Sequence, residues 1–276
     1  MEITRFAPSP NGPLHLGHAY AAVVAHDLAQ ERGGRFVVRI EDLDLGRARD
    51  ALVAEIHADL VWLELTCDTV APQSQRGASY VAAGERLKAL GVLYPCTCTR
   101  AEIGAAASAQ GPDGPIYPGT CRGQTVDPAG AAWRLDMAKA LALTGPLEWT
   151  DETAGLQSAR PEQFGDVVLL RGAGEAAYHL AVTLDDAADG VTLVTRGADL
   201  VAASHVHRLL QALLGLAVPV WHHHPLLVDA DGHKLAKRRG SPGLAAQRLA
   251  GEDGHSLAAD LRAGRFPAGI SALAFP

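Results

Sequence analysis

Arg5-Phe-Ala-Pro-Ser-Pro-Asn-Gly-Pro-Leu-His15-Leu-Gly-His18 is followed by Ala-Tyr-Ala-Ala-Val-Val-Ala, and the stretch reads as strand, turn and helix. Ile3 and Phe6 suit a buried strand. Pro8, Pro10, Gly12 and Pro13 stop it and build a rigid loop, because proline fixes φ and glycine tolerates unusual φ. From Leu14 onward, small and apolar residues favour a helix. His15 and His18 lie one turn apart at its start. A helix N-terminus presents unpaired N–H groups and the positive end of the dipole. Two imidazoles on one face of that turn can hydrogen-bond phosphate oxygens. The same residues also describe a plain capped helix start, so this motif alone decides nothing.

Working outward, the first helix spans 17–32 and closes at Gly33-Gly34. A strand over 35–40 ends in Glu41-Asp42-Leu43-Asp44, carboxylates at the edge where open α/β sheets bind ligands. The alternative for that cluster is an acidic cap for a helix over 48–62, which Asp50 alone would supply. Further helices are expected over 78–91 and 201–215, and strands over 166–171, 177–183, 191–196 and 226–229. Residues 131–150 read as β-like and mixed, and 241–276 as short helices carrying Arg248, Arg262 and Arg265. Strands alternating with helices argue for an α/β parallel sheet. No G-x-G-x-x-G follows the first strand and no G-x-x-x-x-G-K-[ST] occurs, which excludes a dinucleotide dehydrogenase and a P-loop enzyme.

At 276 residues and 48% hydrophobic, the chain supports one large domain with an insertion, or two domains. Its net charge of -7 offers no bulk positive field, so any RNA contact needs a local patch. No apolar run of about 18 residues suggests a membrane span, and no secretory leader is visible, so a cytoplasmic location is expected. A monomer is the expectation for the assembly, with no residue pattern behind it. The cysteines are Cys67, Cys96, Cys98 and Cys121. The last three cluster at a Gly/Pro loop over 110–123, which holds Cys121 and would not fold without a staple, so a metal site in a reducing compartment is a better reading than a disulfide framework. Three thiolates leave one position of a tetrahedral ion. Buried unligated cysteines fit the residues equally well. Cys67 reads as a core thiol. His222-His-His224 reads as structural, since contiguous residues of a strand do not face one point. The chain is accordingly divided into 1–93, an insertion at 94–163, a second half at 164–240 and a tail at 241–276.

Lys234-Leu-Ala-Lys237-Arg238 sits on a glycine-flanked loop, where lysines act as mobile point charges for a pyrophosphate. Cations opposite a helix N-terminus suit nucleotidyl transfer, though a solvated basic loop is the commoner fate of such a run. Two guanidiniums, Arg5 and Arg196, stand at strand ends and can each fork onto a carboxylate. Glu41 suits an ammonium, and Tyr178 can donate its hydroxyl.

Together these blocks resemble the class I aminoacyl-tRNA synthetases. The first resembles their HIGH signature, and the lysine loop resembles KMSKS with Ala236 in place of serine. Arg39-Ile-Glu41-Asp-x-Asp, Asp185-Asp and Arg196-Gly-Ala-Asp199 narrow the resemblance to the glutamyl-tRNA synthetase catalytic core. It implies an α/β fold whose Rossmann-like parallel sheet is split by a zinc-bearing insertion. It implies ATP with Mg²⁺ and L-glutamate as substrates. His15, His18 and Lys237 would then hold ATP, with Lys234 assisting catalysis. The Arg5-Phe6-Ala7-Pro8-Ser9 backbone, Glu41, Tyr178 and Arg196 would line the amino-acid pocket. Cys96, Cys98 and Cys121 with Tyr117 resemble the zinc site of the family's truncated paralogues, which attach glutamate to queuosine in the anticodon loop of tRNA(Asp). The short stretch after Arg238 fits that branch, lacking room for a helical anticodon-binding region. Arg238, Arg239, Arg248, Arg262 and Arg265 are then candidates for an RNA groove. Three other readings stay open: a truncated glutamyl-tRNA synthetase charging a tRNA 3′ end, a nucleotidylyltransferase acting on a small metabolite, and a non-catalytic RNA-binding paralogue, against which the intact Lys234 and Lys237 argue.

Overall fold

In the computed structural model, residues 1–44, 46, 48–172, 174–235 and 243–273 are described. The opening stretch forms β1 (Ile3–Phe6), a proline-rich turn and α1 (Leu16–Glu31). Small residues on α1, including Ala19, Ala22, Ala25 and Ala29, are buried and let the helix lie close to its neighbours. There follow β2 (Arg35–Val38), α2 (Asp50–Trp62), β3 (Asp68–Thr69), α3 (Gly77–Ala89), β4 (Leu93–Cys96) and α4 (Arg100–Ala106). The middle of the chain builds β5 (Gln110–Gly111), β6 (Gly114–Pro115), β7 (Ala132–Leu135), α5 (Met137–Thr144), β8 (Glu148–Asp151), β9 (Gly155–Ser158), β10 (Val168–Leu170) and α6 (Tyr178–Ala188). The last part adds β11 (Leu193–Gly197), α7 (Val201–Leu214), β12 (Val220–His224), β13 (Leu226–Val228), α8 (Leu244–Leu249), α9 (Gly254–Arg262) and β14 (Ser271–Leu273).

Two compact units result. One comprises 1–75, 189–200 and 219–276, the other 76–188 and 201–218. In the first, β1 pairs in parallel with β2, and β2 with β3. Thr192 N–H donates to the Ile3 carbonyl at 3.0 Å, which sets β11 beside β1. β11 then pairs in parallel with β12 in the register Leu193↔Val220 to Gly197↔His224. The strand order is thus β3-β2-β1-β11-β12, the doubly wound arrangement in which the sheet turns both ways from β1. Its core holds Phe6, Leu14, Val23, Phe36, Val38, Ile56, Leu60, Leu227, Leu244 and Leu261. In the second unit, β4 and β10 flank β7 in an antiparallel sheet, and β8 and β9 form a hairpin.

The strand expected at 177–183 is instead the first part of α6. Only its leading edge is extended: Ala176 bridges Leu170, and Ala177 N–H donates to the Leu169 carbonyl. Beyond that the run is buried helix, and a short apolar run does not separate the two by period. The mixed stretch after β7 contains α5, and the tail ends in β14, paired with β13, rather than in helix alone. No described helix is long and apolar enough to cross a membrane.

Candidate active site

His15 is the N-cap of α1 rather than a residue within it. Its Nδ1 accepts from Gly17 N–H at 3.1 Å, and His18 Nδ1 accepts from His15 N–H at 3.1 Å. This reciprocal pair is a capping box built from two imidazoles. An Nδ1 that accepts leaves the ring proton of a neutral histidine on Nε2. Both rings therefore carry an Nε2–H donor, and they lie together with centroids 3.8 Å apart. Gly17 makes the packing possible, since a Cβ there would stand 3.1 Å from His15 Cε1. Helix start and candidate phosphate donors are one device.

The residues proposed for the amino acid, Tyr178 excepted, lie within the first unit at the C-terminal ends of β1, β2 and β11. Arg5 is 4% exposed and donates to the Thr195 carbonyl; Arg196 is 6% exposed and donates from Nε to His223 Nε2 at 3.2 Å. Neither is a surface arginine. Glu41 N–H donates to the Pro8 carbonyl at 3.0 Å, which draws the Ala7–Ser9 loop against the end of β2. Phe6 turns its ring into the core, so it can offer a ligand only backbone. Fully buried Arg39 holds Asp189 at 2.9 Å and Glu41 at 3.4 Å. Of the two carboxylates, Asp189 takes the shorter contact. Asp42 is spent on the backbone N–H and hydroxyl of Ser74 at 2.8 and 2.7 Å, and Asp50 lies in the first turn of α2.

Lys234, half exposed, is ion-paired with Asp199, so the lysine expected at the leaving group is tethered to the end of β11. Lys237, with Ala236, Arg238 and Arg239, lies outside the described residues. Tyr178 belongs to the second unit, where it opens α6, 38% exposed, with its ring against His179 and His207. Asp185 is buried beneath it and accepts from Tyr80 OH at 2.9 Å, with Arg76 at 3.5 Å: a structural carboxylate. Arg39 and His223, which hold Glu41 and Arg196, escaped the sequence reading. The Arg39-Ile-Glu41 spacing was the available signal for the first, and the His223 signal was hidden in a run of three histidines.

The model of the family "tRNA synthetases class I (E and Q), catalytic domain" matches residues 3–259. The chain belongs to the class I aminoacyl-tRNA synthetases. Within them it is similar to proteins named Glutamyl-Q tRNA(Asp) synthetase. The one from Rhodobacter capsulatus is 49% identical over 90% of this chain and 95% of its own length, and the one from Deinococcus radiodurans is 44% identical over 93% and 86%. A solved glutamate tRNA ligase from Elizabethkingia meningosepticum, in complex with its amino acid, superposes with a TM-score of 0.72 at 25% identity, covering 87% of this chain. The synthetase chain described here spans 52% of that ligase's length.

The synthetase's second unit also carries the cysteine cluster. The Sγ atoms of Cys96, Cys98 and Cys121 lie within 4.8 Å of one another, with Cys98 and Cys121 at 3.5 Å. Tyr117 OH stands 3.4 and 3.5 Å from Cys96 and Cys98 and accepts from Cys121 N–H at 2.8 Å. Burial opposes ionisation of Cys121, but hydrogen bonds from Tyr117, the Thr97 backbone and the other thiols outweigh it and bring its thiol down to about 7. Burial pushes the Tyr117 hydroxyl up. Cys67 packs on the core of the first unit, as expected of a lone thiol. The three tail arginines proposed for RNA are otherwise engaged: Arg248 with Asp59 at 3.1 Å, Arg262 with Asp27 at 2.8 Å and Arg265 with Asp260 at 2.6 Å.

Proposed function

We propose that the chain activates L-glutamate with ATP and Mg²⁺, without needing tRNA for this step, and passes the glutamyl group to queuosine in the anticodon loop of tRNA(Asp). The observation that carries this reading is the length-matched similarity to Glutamyl-Q tRNA(Asp) synthetases, 49% identical across 95% of the Rhodobacter capsulatus protein. In the first step an α-carboxylate oxygen of glutamate bonds to the α-phosphorus while the bond to the β-phosphate breaks, giving glutamyl-adenylate and pyrophosphate. In the second, a queuosine hydroxyl takes the acyl group, its proton is lost, and AMP leaves. Arg5 and Arg196 supply one guanidinium for each carboxylate, Glu41 meets the ammonium, and the Tyr178 hydroxyl donates to a carboxylate oxygen. The Nε2–H groups of His15 and His18 hold phosphate oxygens at the positive end of α1. Lys237, with Lys234, steadies the pyrophosphate. No side-chain nucleophile is needed, since positioning and charge stabilisation carry the rate. The setting is a monomer in the cytoplasm.

We further propose one structural zinc ion at Cys96, Cys98 and Cys121, with Tyr117 as the fourth donor. Zn–S bonds of about 2.3 Å put tetrahedral sulfurs about 3.8 Å apart, close to the spacing of these thiols. The ion would staple the 97–121 loop, its binding energy becoming folding energy.

Glutamate-dependent exchange of pyrophosphate into ATP, run without tRNA, tests activation. Transfer of labelled glutamate to tRNA(Asp) lacking its 3′-terminal adenosine tests the acceptor. Charging that requires the intact 3′ end would overturn the queuosine reading.

A further inference from the structure

We infer that Arg134 is the counter-cation of the cysteine cluster and sets its metal affinity. This inference rests on the zinc reading above. Arg134 lies on β7 opposite Tyr94 of β4, and Ala132 lies opposite Cys96. That antiparallel register sets Arg134 diagonally across from Cys96, within reach of a long side chain. Its Nε donates to Cys96 Sγ at 3.3 Å, its Nη1 donates to the Asp166 carbonyl at 2.7 Å, and its guanidinium lies 4.0 Å from the Tyr117 ring centroid.

The charge balance makes the case. Arg134 is 9% exposed, and a guanidinium that far from water needs an anion. Among the described residues it has no carboxylate partner. The nearest candidate, Asp166, gives Arg134 only its backbone oxygen. The Asp166 carboxylate is already matched by Arg122, whose Nε stands 2.8 Å from Oδ2, and it also accepts from Tyr94 OH and from Met137 N–H at 3.0 Å. Arg122 and Asp166 thus close their own account, and the anion left for Arg134 is the sulfur cluster. Three thiolates and a neutral Tyr117 hydroxyl about a divalent ion carry one net negative charge, which a single guanidinium cancels. A charged donor to a metal-bound sulfur also draws electron density from it, which shifts the charge-transfer band and opposes binding slightly, but cancelling the net charge of the buried site dominates, and supporting contacts of this kind commonly change metal affinity about 10- to 100-fold.

The test is the zinc affinity of the full chain, measured by competition with a chromophoric chelator, together with the sulfur-to-metal charge-transfer band of the Co²⁺ form. Arg134→Met is expected to weaken zinc binding about 10- to 100-fold and to shift the Co²⁺ band. Arg134→Lys, which keeps the charge but not the Nε donor, is expected to recover part of the affinity, and it serves alone if the methionine variant does not fold. A merely structural brace would lower the melting temperature of metal-free protein while leaving affinity and band unchanged. That result, or wild-type affinity in the variants, overturns the role of Arg134 alone. Wild-type protein that binds neither metal overturns the zinc reading and this inference together.

Discussion

His15 caps α1 and, on the proposal above, holds a phosphate oxygen, and the two tasks separate by substitution. Asparagine is a good N-cap, so His15→Asn keeps the acceptor for Gly17 N–H while removing the Nε2–H donor. This variant is expected to melt within about 2 °C of wild type and to lose at least about 100-fold in pyrophosphate exchange. His15→Ala is expected to lose the activity and, in addition, about 1 kcal/mol of stability in urea melts. Glu41→Gln removes a counter-charge for the substrate ammonium while keeping its size. The glutamate KM should rise roughly 10- to 100-fold, the ATP KM staying within about twofold. At this scale the sequence was informative where residues recur in a spaced block, as with Arg5, His15, His18 and Glu41. It was silent on His223 and Arg134, because a buried partner is chosen by a neighbour distant in sequence and carries no local pattern.

Among the elements, α1 was legible from its proline-rich turn and small residues, and α6 was not, because a seven-residue apolar run fits either period until its neighbours are known. The tail helices show a similar limit. Their arginines suggested an RNA groove, yet Arg248 of α8 reaches fully buried Asp59 on α2, and Arg262 of α9 reaches Asp27 on α1. Burial holds the Asp59 carboxyl above its usual range, against the opposing pull of Arg248. Arg248→Met should therefore cost about 2–4 kcal/mol by leaving a buried carboxylate unpaired, and Asp59→Asn in the same chain should restore part of it. Arg265→Ala, which loses only an exposed pair, should cost under about 1 kcal/mol. Chemical denaturation of the three variants checks both statements.

At the end of β12, burial pushes His224 down to about 4, with its Nδ1–H on the Pro225 carbonyl. The unfolded chain, with an imidazole near 6.5, binds a proton in the window between these values that the folded chain refuses. Stability should thus fall as pH drops from about 6.5 toward 4, by roughly 2 kcal/mol at pH 5 from this residue alone. His224→Leu should remove that portion of the acid loss, as read from urea melts at pH 7 and pH 5.

For the whole molecule, the alternation of strands and helices was enough to read an α/β sheet. The sequence could not show that 201–218 joins the cysteine-bearing unit while 189–200 and 219–276 join the first, because membership is decided by contacts between segments far apart in the chain. The acceptor is a property of this scale as well, since the chain is similar to the solved glutamate tRNA ligase over only 52% of that protein's length but to the Glutamyl-Q tRNA(Asp) synthetase of Rhodobacter capsulatus over 95% of its length. The most direct test is transfer of labelled glutamate to tRNA(Asp) with and without queuosine, each assayed with its 3′-terminal adenosine present and removed. The account predicts glutamylation of the queuosine-bearing tRNA alone, at a rate unaffected by loss of the 3′ end. Labelling only of tRNA with an intact 3′ end, regardless of queuosine, would contradict it.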